Sequence, residues 1–112
     1  MHEIRHQVRG DGLYLPTSTV GLRMVVQDAL YERERHEASI RLVQTTSDHK
    51  DLRVVVEYIA GDYQRIAAWR LLLDSPSRKD LECVALFAEG MPRAWAFQIL
   101  AIMSDIGTFR KD

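Results

Sequence analysis

From Ala94 to Met103 the chain reads Ala-Trp-Ala-Phe-Gln-Ile-Leu-Ala-Ile-Met, so a helix built from it is apolar in every direction, with only Gln98 interrupting. Such a helix has to be covered on all sides. In a chain of 112 residues, 46% of them hydrophobic, surface is large relative to volume. The remaining helices cannot surround this one and still turn their own charged faces to water. The plainest cover is a second copy of the chain, because most soluble oligomers are symmetric homodimers whose interfaces resemble a domain core cut in half. Trp95, Phe97, Ile99, Leu100 and Met103 are therefore the candidate dimer-interface residues. The competing arrangement is a compact monomeric bundle with this helix at its centre.

The rest of the chain supplies the elements that pack against it. Ile4, His6 and Val8 alternate with polar neighbours, Arg9-Gly10-Asp11-Gly12 is turn chemistry, and Leu13-Tyr14-Leu15 resumes the apolar run before Pro16. A short β-hairpin or β-arm is expected. Thr17, Ser18 and Thr19 are good helix caps, and Leu22, Val25, Val26, Ala29 and Leu30 recur at helical spacing behind them. The polar run Glu32 to Glu37 either carries that helix on to about Gln44 as a solvated stretch, or ends it. In the second case residues 38 to 45 and 52 to 59 pair as a second hairpin, giving an α+β fold.

Val54, Val55 and Val56 favour a strand by propensity, yet Leu52, Val55, Val56, Ile59, Tyr63, Ile66, Ala67 and Leu71 form one helical stripe. The stripe favours a helix over about 48 to 74, capped by Ser47 or Asp48 and running through Gly61 at a cost of about 1 kcal/mol. Ser75-Pro76-Ser77 then breaks the chain and caps a helix of about 78 to 89. Gly90 ends it, and Pro92 sits in the first turn of the apolar helix. The fold class expected is mainly α, a single domain over 1–112 holding four helices and the N-terminal hairpin or arm.

Charge constrains the partners. Fifteen Lys plus Arg against sixteen Asp plus Glu leave a net charge of -1, which disfavours nucleic-acid binding by charge alone, since phosphate neutralisation needs a concentrated basic face. The lone Cys83 cannot form an intramolecular disulfide and lies among Leu81, Val84 and Leu86, where a thiol behaves as a small hydrophobe. That points to a reducing compartment. The N-terminal stretch is polar where a signal peptide would be apolar, and no run approaches the roughly 18 apolar residues of a membrane span, so a cytoplasmic location and no membrane contact are expected.

No motif yields a legible catalytic site. His2-Glu3-Ile4-Arg5-His6 matches the zinc-protease pattern, in which two imidazoles one helical turn apart share a metal. On a strand, with about 3.3 Å of rise per residue, the two would be too far apart, and no third ligand is evident, so the match is coincidental. Arg9-Gly10-Asp11 reads as ordinary turn residues. His36 and His49 lie in charged stretches with no Cys or carboxylate at ligand spacing and read as solvated surface histidines. Val84-Ala85-Leu86-Phe87-Ala88-Glu89-Gly90-Met91-Pro92 resembles the first helix and turn of the helix-turn-helix in LuxR-type regulators. That resemblance implies a polar, base-reading second helix, whereas Arg93-Ala94-Trp95-Ala96-Phe97 is apolar with a single Arg.

The expectation is a small non-enzymatic interaction or regulatory protein without cofactor, metal or catalytic residues. It would act as a homodimer by docking another protein, as an adaptor, inhibitor or immunity-type factor. Tyr, Trp and Arg dominate interface energetics, and Arg33, Arg35, Tyr63 and Trp69 are the candidate partner contacts, with Tyr58 and Trp95 beside them. A helix-turn-helix-like DNA-binding regulator is the alternative; it requires Arg70, Arg78, Arg93 and Arg110 to converge on one face.

Overall fold

The computed structural model describes residues 6–8 and 14–111, with side chains described for 15–104. An antiparallel pair of short strands, β1 (His6–Val8) and β2 (Tyr14–Pro16), is followed by six helices: α1 (Thr19–Asp28), α2 (Glu32–Thr45), α3 (His49–Tyr58), α4 (Asp62–Leu73), α5 (Arg78–Phe87) and α6 (Met91–Lys111). Gln7 faces Leu15 across the strand pair, and the fold is mainly helical, as the apolar periodicity requires. Helix α3 is the central element, packed against α1, α2, α4 and α5, while α6 lies mainly on α5 with a smaller contact to α4.

The number of helices differs from the four expected, because the chain bends twice where the apolar stripe reads as continuous. The first break is at 29–31. Arg35, one turn into α2, donates from Nε to Val26 O (2.8 Å) and from a terminal nitrogen to Ala29 O (3.1 Å), satisfying the carbonyls that the end of α1 exposes. The acidic first turn of α2, Glu32 and Glu34, faces that helix's positive end. The second break is at Gly61, which takes φ 108° and ψ −158°, a conformation open to glycine alone at low cost, and so becomes the N-cap of α4 instead of a helix-interior residue.

No second hairpin forms: residues 38 to 45 lie in α2 and 52 to 58 in α3. Val54, Val55 and Val56 all point into the core, so burial overrides their strand preference. Other helix ends follow local rules. Ser18 caps α1 through Gly21 N (3.0 Å), and Asp48 caps α3 through Lys50 N (2.9 Å). Ser77 and Asp80 form a reciprocal capping box on α5. Helix α5 ends at Phe87, two residues short of the expected boundary, and Gly90 enters the following turn at φ 75°.

Among the described residues the core is one cluster spanning β2 to α6, with Leu15, Leu22, Val26, Leu42, Leu52, Val55, Leu71, Leu81 and Val84 shut off from solvent. Buried and half-buried polar side chains tie helix ends to it. Arg70 reaches from α4 to Val43 O and Thr46 O, both at 2.6 Å, closing the end of α2. Gln64 uses one amide nitrogen to cap Val56 O in α3 and Phe87 O in α5, each at 2.9 Å. Replacing Gln64 by the similarly sized Leu strands both carbonyls, and a loss of about 2 kcal/mol in urea denaturation is expected. An unchanged midpoint would show that water replaces both bonds.

Candidate functional site

Helix α6 presents a covered face and two open ones. Pro92 and Ala96 are buried, and Ile99, Leu100 and Met103 are half-buried against the core, so this side of the helix belongs to the chain's own interior. The fold covers no more than that side. Met91 is 65% exposed, Trp95 42% and Ile102 58%, and with Gln98 they follow one another at alternating steps of four and three residues along one flank. On the opposite flank Phe97 is open, with the Arg93 guanidinium 5.6 Å from its ring centre. A shallow groove of about 320 Å³ runs there between α5 and α6, lined by Glu82, Ala85, Leu86, Phe97 and Leu100.

Of the five candidate interface residues, then, Trp95 and Phe97 are open to solvent and the other three are largely accounted for by the core. Trp95 meets Trp69 of α4 edge to face, with ring centres 5.2 Å apart and planes at 73°. Trp69 itself packs half-buried on the core, and on the same helix Ile66 and Leu73 stand in solvent. The Trp69–Trp95 contact thus joins the apolar stripe of α4 to that of α6.

The other sequence candidates fall elsewhere. Arg35 is occupied in capping α1, its guanidinium also lying 5.9 Å from the Tyr58 ring centre. Tyr63 packs half-buried against the core, and Arg33 is exposed at the start of α2. Arg70 is tied to the end of α2, and Arg78 pairs with Glu82 at 3.1 Å. Each of these arginines is thus engaged within the chain. The Arg9-Gly10-Asp11 turn, the His2 to His6 string apart from the backbone of His6, and the Arg110 side chain lie outside the described residues.

The ionic centre of the molecule is one that the sequence does not advertise. His49, expected to be a solvated surface residue, has its side chain held on both sides: Nδ1 is 2.6 Å from Asp80 and Nε2 is 2.8 Å from Asp74. Asp80 is fully buried and also accepts from Arg53 (2.6 Å) and from Ser77 N (2.9 Å). Asp74 and Asp80 are far from His49 along the chain, so no local spacing could have signalled the cluster. The hydrogen bonds that the ring donates to Asp74 and Asp80 raise the His49 pKa above its ordinary 6.5, outweighing desolvation. Burial alone would raise that of Asp80, but Ser77 N–H, His49 and Arg53 together hold it below 3.8.

Chemically this cluster is a clamp. In a Ser-His-Asp relay one ring nitrogen faces a carboxylate and the other a nucleophilic hydroxyl, whereas both nitrogens of His49 face carboxylates. The remaining nucleophile candidate, Cys83, has a thiol pushed up to about 12 chiefly by burial, so it stays protonated at neutral pH. Among the described residues no group of three His, Cys, Asp or Glu side chains is placed to hold a metal ion, and no helix is long and apolar enough to cross a membrane. Comparison with protein-family models, with curated proteins and with solved structures finds no match.

Proposed function

We propose that this chain is a small, non-enzymatic, cytoplasmic binding protein that works as a homodimer and docks another protein. The observation that carries the reading is the contact of half-buried Trp69 with exposed Trp95, which links the exposed Ile66 and Leu73 of α4 to Met91 and Ile102 of α6. Exposed large apolar patches on soluble chains mark interaction sites, and Trp is enriched among residues that dominate binding energy. The alternating four-three spacing of Met91, Trp95, Gln98 and Ile102 is that of a helix which pairs with another helix along its length. The flank of α6 opposite this seam is free for a second protein. The clamped His49 and the protonated Cys83 support a binding role over a catalytic one.

Sedimentation equilibrium tests the self-association. The wild-type chain is expected to be a dimer at micromolar concentration, and Ile102→Glu, which places a charge in the seam, is expected to weaken it at least roughly 100-fold, about 3 kcal/mol. Circular dichroism should stay unchanged, because Ile102 is open to solvent. Affinity capture with the wild type, Trp95→Ala and Phe97→Ala, repeated with purified partner, reads the second role. A monomer at all concentrations, with capture indifferent to both substitutions, would overturn the proposal.

A further inference from the structure

We infer that His49, Asp74 and Asp80 form a proton-operated latch that fastens the α4–α5 linker to the start of α3. An ionised carboxylate only accepts, and a neutral imidazole has one N–H to give, so it can serve one of two facing carboxylates and turns a lone pair on the other. Nδ1 meets Asp80 at 2.6 Å and Nε2 meets Asp74 at 2.8 Å. Both contacts are favourable together only when the ring carries two protons.

The structure also decides which contact yields on deprotonation. Asp80 is buried and has Arg53 and Ser77 N as further partners, so its position does not depend on the ring. Asp74 has a side chain 71% exposed, and among the described residues its side chain is held by His49 alone. The neutral ring therefore keeps its single proton on Nδ1, towards Asp80, and releases Asp74. Asp74 is the C-cap of α4, and the next residue, Ser75, holds φ 50°, a left-handed conformation that a residue with a Cβ adopts only when its surroundings impose it. Releasing Asp74 removes one such constraint from the linker 74–77.

Among the described residues the neighbouring arginines are engaged, and one of them, Arg53, shares Asp80 with the ring. From α1, Arg23 bonds Asp51; from α4, Arg70 turns to the carbonyls of α2; from α5, Arg78 pairs with Glu82; and on α3 itself Arg53 bonds Asp80. Because the folded pKa of His49 is raised, the latch is fully closed below about 6.5 and opens as pH rises through the higher folded value. Asp74 directly follows Leu73 of the docking surface, but the latch stands on the ring geometry independently of that reading.

The test is a titration by NMR over roughly pH 5 to 9, following the imidazole nitrogens of the histidines and the backbone amides of Asp74, Ser75 and Ser77. His49 is expected to titrate above the ordinary imidazole value of 6.5, with the linker amides shifting at the same midpoint. In Asp74→Asn, which alters an exposed side chain, the His49 midpoint should fall and the linker shifts should vanish. In His49→Gln the linker amides should be indifferent to pH across this range. A His49 midpoint at or below 6.5, or linker amides that ignore it, would overturn the latch.

Discussion

Asp80→Ala should lower the unfolding free energy by about 3 kcal/mol at pH 6 to 7, a large share of the 5–15 kcal/mol that holds a domain together. Asp80 is fully buried and accepts from His49, Arg53 and Ser77 N, one partner each from the first turn of α3, its second turn and the cap of α5. Truncation leaves two cations facing each other across a void and an N–H at a helix start without its acceptor. The loss is kept below the upper end for buried pairs because the side chains of His49 and Arg53 remain 24% and 27% exposed and can be rehydrated.

Asp80→Asn keeps an acceptor oxygen for Ser77 N and should lose less. The pH dependence has a definite sign. A carboxyl whose folded pKa lies below 3.8 contributes stability above that value, and the contribution disappears as pH falls through the folded pKa. The gap between wild type and Asp80→Ala in urea denaturation should therefore close in strong acid. A gap that persists there would mean that Asp80 acts through packing instead of charge.

Leu71→Ala should have an effect of similar size from a different cause. Leu71 is entirely shielded where α4 packs on the core, and removing its branched end leaves a cavity bounded by helices whose ends are tied by Arg70 and Gln64. Collapse into the space is therefore restricted, and a loss of about 3 kcal/mol is expected, roughly 10 °C or more in Tm. Ile66→Ala, on the same helix but 43% exposed, should stay within about 0.5 kcal/mol. Equal losses at the two positions would place Ile66 at a covered interface and count in favour of self-association through α4.

The contrast between Leu71 and Ile66 shows how far the linear pattern could be read. Both belong to the stripe from Leu52 to Leu71 when it is drawn as one helix. Every member before the break is buried, because period and burial agree within α3. At Gly61 the backbone turns and the phase restarts, so Ala67, Ala68, Leu71 and Leu72 face inward and Ile66 is left outside. The break at 29–31 was hidden for a related reason: its cause is Arg35, whose role as a cap depends on where its side chain reaches after the chain has already turned.

The sequence by itself determined the helical class, an extended N-terminal element, the caps to within a residue or two of Ser18, Asp48 and Ser77, and an α6 with more apolar surface than one flank of the bundle covers. These are properties of short windows, governed by periodicity and by side chains bonding backbone a few residues away. Only the tertiary structure decided that Trp69 meets Trp95, that Arg70 caps the end of α2, and that His49 lies between Asp74 and Asp80. Each depends on bringing together helices that are distant in the chain, and their packing angles are fixed by the shape of the whole core, which no local spacing encodes.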